Sequence, residues 1–157
     1  MSTRQHKILI LGLGNEILGD DAVGLLAARE LLKVFQGRVD IAEAAVSGFE
    51  IMEIIKGYEK VLLLDAVVTK KHSLGTILEL SKEQFKKVVA ISPHYMGLPE
   101  IFQLAATVNI NLPNEIRILA MEIEPPYVLT EGLTKVIEES LPEFIQQAQK
   151  IISSWVS

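Results

Sequence analysis

The stretch Ile8–Gly24, ILILGLGNEILGDDAVG, constrains this chain more than any other. It reads as a short buried strand, a glycine turn, two adjacent aspartates and the first turn of a helix. The apolar run of Lys7–Gly12, closed by glycine, suits a strand covered on both faces. A helix starting directly after such a turn aims free N–H groups and a positive dipole end at whatever lies in front of it, the usual cradle for phosphate. Here Asp20 and Asp21 already stand there. A dinucleotide fingerprint needs glycine three positions after Gly14, where Ile17 sits, and a P-loop needs Gly-Lys-Ser/Thr, where this chain has Gly19-Asp20-Asp21. The loop is built against phosphate and calls for a cation.

Beyond it, strand and helix patterns alternate. Residues 21–36 have helical period, with Leu25, Ala28, Leu32 and Phe35 on one face and Gly37 as the stop. Residues 38–46 alternate weakly, as a strand does. Ser47 is placed to cap a helix carrying Phe49, Ile51, Met52 and Ile55. VLLLDAVV within Glu59–Val68 is the most strand-like segment of all. A turn with Lys70, Lys71, His72 and Gly75 leads to a strand over Thr76–Leu80, then a surface turn or short helix over Ser81–Lys87 and the apolar run Val88–Ile91. After Ser92-Pro93-His94 a helix opens near Gly97 or Pro99. Glu115–Ile123 is a further strand, ended by Pro125-Pro126. From Thr130 the tail is helical, and Pro142 inside it must kink the helix or begin a second one. The expected fold is α/β: one domain over residues 1–157, with a twisted, mostly parallel sheet of about five strands between two helical layers. The ends of the first and third strands then share the edge where doubly wound sheets place ligands.

Composition narrows the function. Fifteen basic against 20 acidic residues give a net charge of −5, the wrong balance for a protein that grips nucleic-acid phosphates. Zero cysteines remove disulfides, thiolate ligands and thiol nucleophiles. No apolar run approaches a membrane span, and the N-terminal apolar run passes into Asn15 and Glu16 without a cleavage site, so a soluble cytoplasmic protein is expected.

Two residues join the aspartates as candidates. Asp65 interrupts an apolar strand near its end, where an unpaired carboxylate is expensive to bury. It is expected to project into the crevice beside Asp21. His94 sits just before a helix start, a place that disfavours imidazolium and so favours the neutral, metal-binding form. His6 and His72 read as ordinary surface residues. Asp21, Asp65 and His94 make a mixed oxygen–nitrogen set that suits nickel, zinc, cobalt or manganese without selecting one. Asp20 reads as the helix cap beside Asp21, and Glu16 as the next residue worth testing.

Three segments now carry a resemblance: Gly12-Leu13-Gly14-Asn15 with Gly19-Asp20-Asp21-Ala22-Val23-Gly24, then Leu64-Asp65-Ala66, then Ser92-Pro93-His94 with Gly97-Leu98. In order and spacing the chain resembles the hydrogenase maturation proteases, endopeptidases that trim the large subunit of [NiFe] hydrogenases. Gly132-Leu133-Thr134 is a fourth, weaker match. The resemblance implies a phosphorylase/hydrolase-like fold, a monomer and a partner, the large-subunit precursor. It also implies that Asp21, Asp65 and His94 are both the catalytic residues and the contacts to nickel already inserted in that precursor. Nickel is then a feature of the substrate rather than a resident cofactor, and zinc or another divalent ion would substitute for it.

With no cysteine and no serine visibly paired to His94, hydrolysis by water remains. Either the metal polarises the carbonyl or water, or Asp21 or Asp65 acts as general base. The chain departs from many relatives after its second strand, where Glu43-Ala44-Ala45-Val46-Ser47-Gly48 replaces an Asp-Gly-Gly-Thr-like turn. Two other readings compete. One is a nickel-binding chaperone that docks on the same partner without cutting it. The other is a peptidyl-tRNA hydrolase-like esterase, suggested by Gly12–Asn15 but lacking the histidine which that family carries soon after.

Overall fold

The computed structural model of this protein describes residues 5–84, 92–125 and 131–156. The expectations for Phe85–Lys87, Val88–Ile91, Pro126 and Thr130 fall outside them. The strands are β1 (Ile8–Leu13), β2 (Asp40–Ala44), β3 (Lys60–Val67), β4 (Ile77–Ser81) and β5 (Glu115–Glu122). The helices are α1 (Val23–Phe35), α2 (Phe49–Ile55), α3 (Leu98–Thr107) and α4 (Lys135–Val156). The sheet runs β2-β1-β3-β5-β4, parallel except for β4, which pairs antiparallel with β5 at one edge. The chain leaves β1 to one side for β2 and returns to its other side for β3. The switch point, and hence the ligand crevice of an open α/β sheet, therefore lies beyond the carboxyl ends of β1 and β3.

Period-2 alternation sorts the sheet residues into two cores. Ile10, Leu62, Leu64 and Leu119 pack under α1 and α4, while Leu9, Leu11, Leu63 and Ile118 pack under α2 and the start of α3. The expected three layers follow. Helix α1 buries Ala27, Ala28, Leu31 and Phe35; Leu32, expected on that face, is 44% exposed. Leu25, Ala28 and Phe35 lie on the buried face as expected, and Leu32 alone falls at its edge, where Leu31 takes the core position. Helix α4 runs through Pro142 as one element, so no second helix begins there. Among the described residues, no helix is long and apolar enough to cross a membrane.

Two glycines set how closely α1 approaches the sheet. A Cβ on Gly24 would collide with the carbonyl oxygen of Leu64 and lie 2.7 Å from that of Leu13. A Cβ on Gly12 would lie 2.6 Å from the Gly24 oxygen and 2.9 Å from the Ala28 Cβ. Backbone-to-backbone contact at this point brings the Asp20–Asp21 turn down onto the ends of β1 and β3.

Asp20 does not cap its own helix. Only 9% exposed, it reaches 114 positions along the chain, accepting the Thr134 backbone N–H at 2.7 Å and its hydroxyl at 2.8 Å. The Thr134 carbonyl accepts the first bond of α4, from Glu138. One buried carboxylate thus joins the first loop to the start of the last helix, which gives Gly132-Leu133-Thr134 its structural reason. Asp20→Ala removes both acceptors and is expected to lower stability by about 1–3 kcal/mol, read as a reduced urea midpoint at unchanged slope.

Candidate active site

At the switch point, Gly14, Asn15, Leu18 and Asp21 from the first loop face Ala66, Val68 and Ile123 from the sheet and Ser92 and His94 from the turn before α3. Together they enclose a cleft of about 290 Å³. Larger hollows lie beside α3 (about 640 Å³) and near Asp40 and Tyr58 (about 800 Å³), but neither is lined by Asp21 or His94. Chemistry, not volume, singles out the smaller one.

Asp65 is fully buried behind His94. Its Oδ1 accepts the Ala66 N–H at 2.8 Å. Its Oδ2 lies 2.9 Å from His94 Nδ1 and accepts the Ser92 hydroxyl at 3.2 Å. The charge that looked so costly in an apolar strand is therefore satisfied on both oxygens. With Nδ1 held by a carboxylate, Nδ1 carries the proton and Nε2 keeps the lone pair that the cleft can use. Asp21 stands on the first-loop wall. Its Oδ2 accepts the Asn15 N–H at 2.9 Å, which leaves Oδ1 for a ligand.

The electrostatics tie the three together. Burial raises the Asp21 pKa above the usual carboxylate value, and the charge of Asp65 raises it further, while His94 and the Asn15 N–H pull the other way. Burial alone would lower the His94 pKa. The hydrogen bond to Asp65 and the charges of Asp65 and Asp21 outweigh it, and the imidazole titrates above its ordinary 6.5. Burial first, then the Asp65 charge, holds the Tyr95 phenol well above 10, so it stays neutral beside the pair.

An NMR titration of His94 should show the raised value. The Asp65–His94 ion pair adds stability that is fully present below pH 6.5 and is lost as pH rises through the raised folded-state pKa. Availability of the Nε2 lone pair runs the opposite way, so any activity that needs it falls as pH drops through the same pKa.

Asp21 and His94 line the cleft, whereas Asp65, expected to project into it beside Asp21, does not line it and stands buried behind His94. Asp65 and His94 touch, and Asp21 acts on both across the cleft. Among the described residues, no group of three or more His, Cys, Asp or Glu side chains stands as a ready-made metal cage. Glu16 turns away from the cleft: its carboxylate lies 2.5 Å from Arg29, which also grips Glu43 at 2.8 and 2.9 Å. Ser47 is not the cap of α2. Gly48 takes that place at φ 53°, its N–H bonded to the His94 carbonyl at 2.9 Å, so this departing turn braces the histidine loop. Against the expectation that no serine is paired to His94, the Ser92 hydroxyl stands 3.4 Å from His94 Nδ1, but it donates to Asp65 at 3.2 Å, a bond that could not be read from spacing.

The sequence profile described as "Hydrogenase maturation protease" matches residues 25–151. The chain is 27% identical over 146 residues to the hydrogenase 2 maturation protease of Escherichia coli (strain K12), covering 88% of each chain. Its fold is similar to that of the hydrogenase maturating endopeptidase HybD from E. coli, with a TM-score of 0.80 at 24% identity over 94% of this chain and 92% of that one. It is also similar to the [NiFe] hydrogenase maturation protease HybD from Thermococcus kodakarensis, with a TM-score of 0.72 at 25% identity over 92% and 97%. With the profile spanning most of its length, this chain belongs to the hydrogenase maturation protease family.

Proposed function

We propose that this protein removes the C-terminal extension of a nickel-loaded [NiFe]-hydrogenase large-subunit precursor, with Asp21, Asp65 and His94 as its working residues. The observation that carries the proposal is the Asp65–His94 pair facing Asp21 across a cleft at the β1/β3 switch point, in a member of a protease family.

Asp21 Oδ1 and His94 Nε2 are the donors that meet the nickel borne by the substrate, one from each wall. Asp65 fixes the nitrogen that is offered. Asp65 joins as a third ligand only where its Oδ2 leaves Nδ1. The substrate's nickel supplies Lewis acidity at the scissile carbonyl or at water. In the alternative arrangement, with Asp21 Oδ1 not engaged by nickel, Asp21, its carboxyl pKa raised by burial, is the base that takes a proton from the attacking water and returns one to the leaving amine.

Because the metal arrives with the substrate, protein stripped with a chelator and then dialysed should still shorten the nickel-loaded precursor. A requirement for added zinc or nickel in the stripped protein would make the metal a resident cofactor instead. Binding with no change in precursor mass would favour the chaperone reading.

A further inference from the structure

We infer that the β3–β4 turn is a built cationic site for a carboxylate-bearing segment of the protein partner, seated through Lys70 and Lys71 beside the cleft. The inference rests on the proposed function for the identity of the partner. Glu122 anchors the turn. Only 1% exposed, its carboxylate accepts the N–H and hydroxyl of Thr69 and, at 3.3 Å, the N–H of Lys70. Its backbone closes the far end of the turn, accepting from Gly75 and donating to Thr76, each at 2.9 Å. Lys71 N–H is held by the Thr69 hydroxyl at 3.0 Å. Lys70 adopts the left-handed conformation at φ 62°, unusual for a residue with a side chain. A buried carboxylate thus holds a turn whose two lysines are exposed.

Those lysines have no counter-charge of their own. All 20 acidic residues of the chain lie among the described residues. Lys7, Lys33 and Lys56 each pair with a glutamate within 3.4 Å, while Lys70 and Lys71, like Lys60, Lys82, Lys135 and Lys150, have no ion pair among the described residues. What sets Lys70 and Lys71 apart is the buried Glu122 that fixes their turn. In a chain of net charge −5, two unpaired cations on a fixed turn leave the complementary charge to a ligand. Asp21 and Asp65 repel an anion from the cleft itself, so an acidic side chain must be received outside it. Val68, two residues before Lys70, lines the cleft. At about 3.3–3.6 Å per extended residue, the partner's carboxylate falls within roughly four residues of the bond that is cut. A polyanion such as nucleic acid would meet the same two lysines on a chain whose net charge is −5.

The test is a titration of the nickel-free precursor from the same organism, measured at low and at high salt. The double variant Lys70→Asn/Lys71→Gln keeps a left-handed-tolerant residue at position 70. It should bind roughly three- to tenfold more weakly at low salt, with the gap closing at high salt. Precursor with the acidic residues near the cut changed to amides should bind wild type and variant alike. Wild-type affinity in the double variant, or a gap that ignores salt, overturns the inference. Should the double variant fail to fold, Lys71→Gln alone carries the test and must weaken binding in the same salt-dependent way. A protein that binds the precursor through this turn yet never shortens its nickel-loaded form overturns the endopeptidase reading and leaves the lysine site standing.

Discussion

Asp65→Asn should lower the rate of precursor processing by about 10²–10⁴-fold while leaving the protein folded. The amide has the shape of the carboxylate but only one acceptor. Ala66 N–H, 2.8 Å from Oδ1, requires that acceptor, which turns the NH₂ group of the variant's amide toward His94 Nδ1, where Oδ2 now stands 2.9 Å away. Nδ1 must then accept, and the imidazole proton moves to Nε2, the nitrogen the cleft uses. The ring stays in place with its lone pair on the wrong side. Loss of the negative charge also removes what holds the His94 pKa up, so that value falls in the variant. Imidazole ¹⁵N shifts report the tautomer directly. Normal processing with Nε2 protonated would remove His94 from the mechanism.

Gly24→Ala should destabilise the protein by about 3 kcal/mol or more, at the upper end for overpacking a closely fitted contact. The added methyl meets the Leu64 and Leu13 carbonyl oxygens, which belong to central parallel strands and cannot turn aside like a side chain. Relief requires α1 to lift off the sheet, and Asp20 and Asp21 lie in the turn that leads into α1. The variant should show a lower denaturant midpoint, and processing should fall further than the folded fraction accounts for. Gly12→Ala meets the same interface from the strand side, through Gly24 and Ala28, and should behave alike. An alanine at 24 with wild-type stability would mean that the helix approach is looser than these contacts require.

What was legible in the sequence and what was not divides along physical lines. Local signals read true for the glycine-closed run of β1 and the aspartate inside the apolar strand β3. The helix start after His94 did not favour its neutral form, because the Asp65 hydrogen bond and the charges of Asp65 and Asp21 raise its pKa instead. The convergence of the first loop and Asp65 followed from parallel topology, which brings the ends of β1 and β3 together. The relations missed are hydrogen bonds between segments far apart in the chain. Asp20 looked like a local cap because capping is the commonest local use of such an aspartate, yet its partner Thr134 lies at the other end of the chain. Gly48 in place of Ser47 as the start of α2 depends on a bond to the His94 carbonyl that no pattern near position 48 contains. The role of Asp65 as the partner of His94, rather than an equal third donor, needed atomic positions. Residue types name a ligand set, but they do not say which of its members touch one another.

The most direct measurement is the intact mass of the large-subunit precursor before and after incubation with this protein, in nickel-loaded and nickel-free forms side by side. The nickel-loaded precursor should lose a single C-terminal peptide while the nickel-free form keeps its full mass. An unchanged mass in the nickel-loaded form, or equal shortening of both forms, would contradict a nickel-reading endopeptidase built on Asp21, Asp65 and His94.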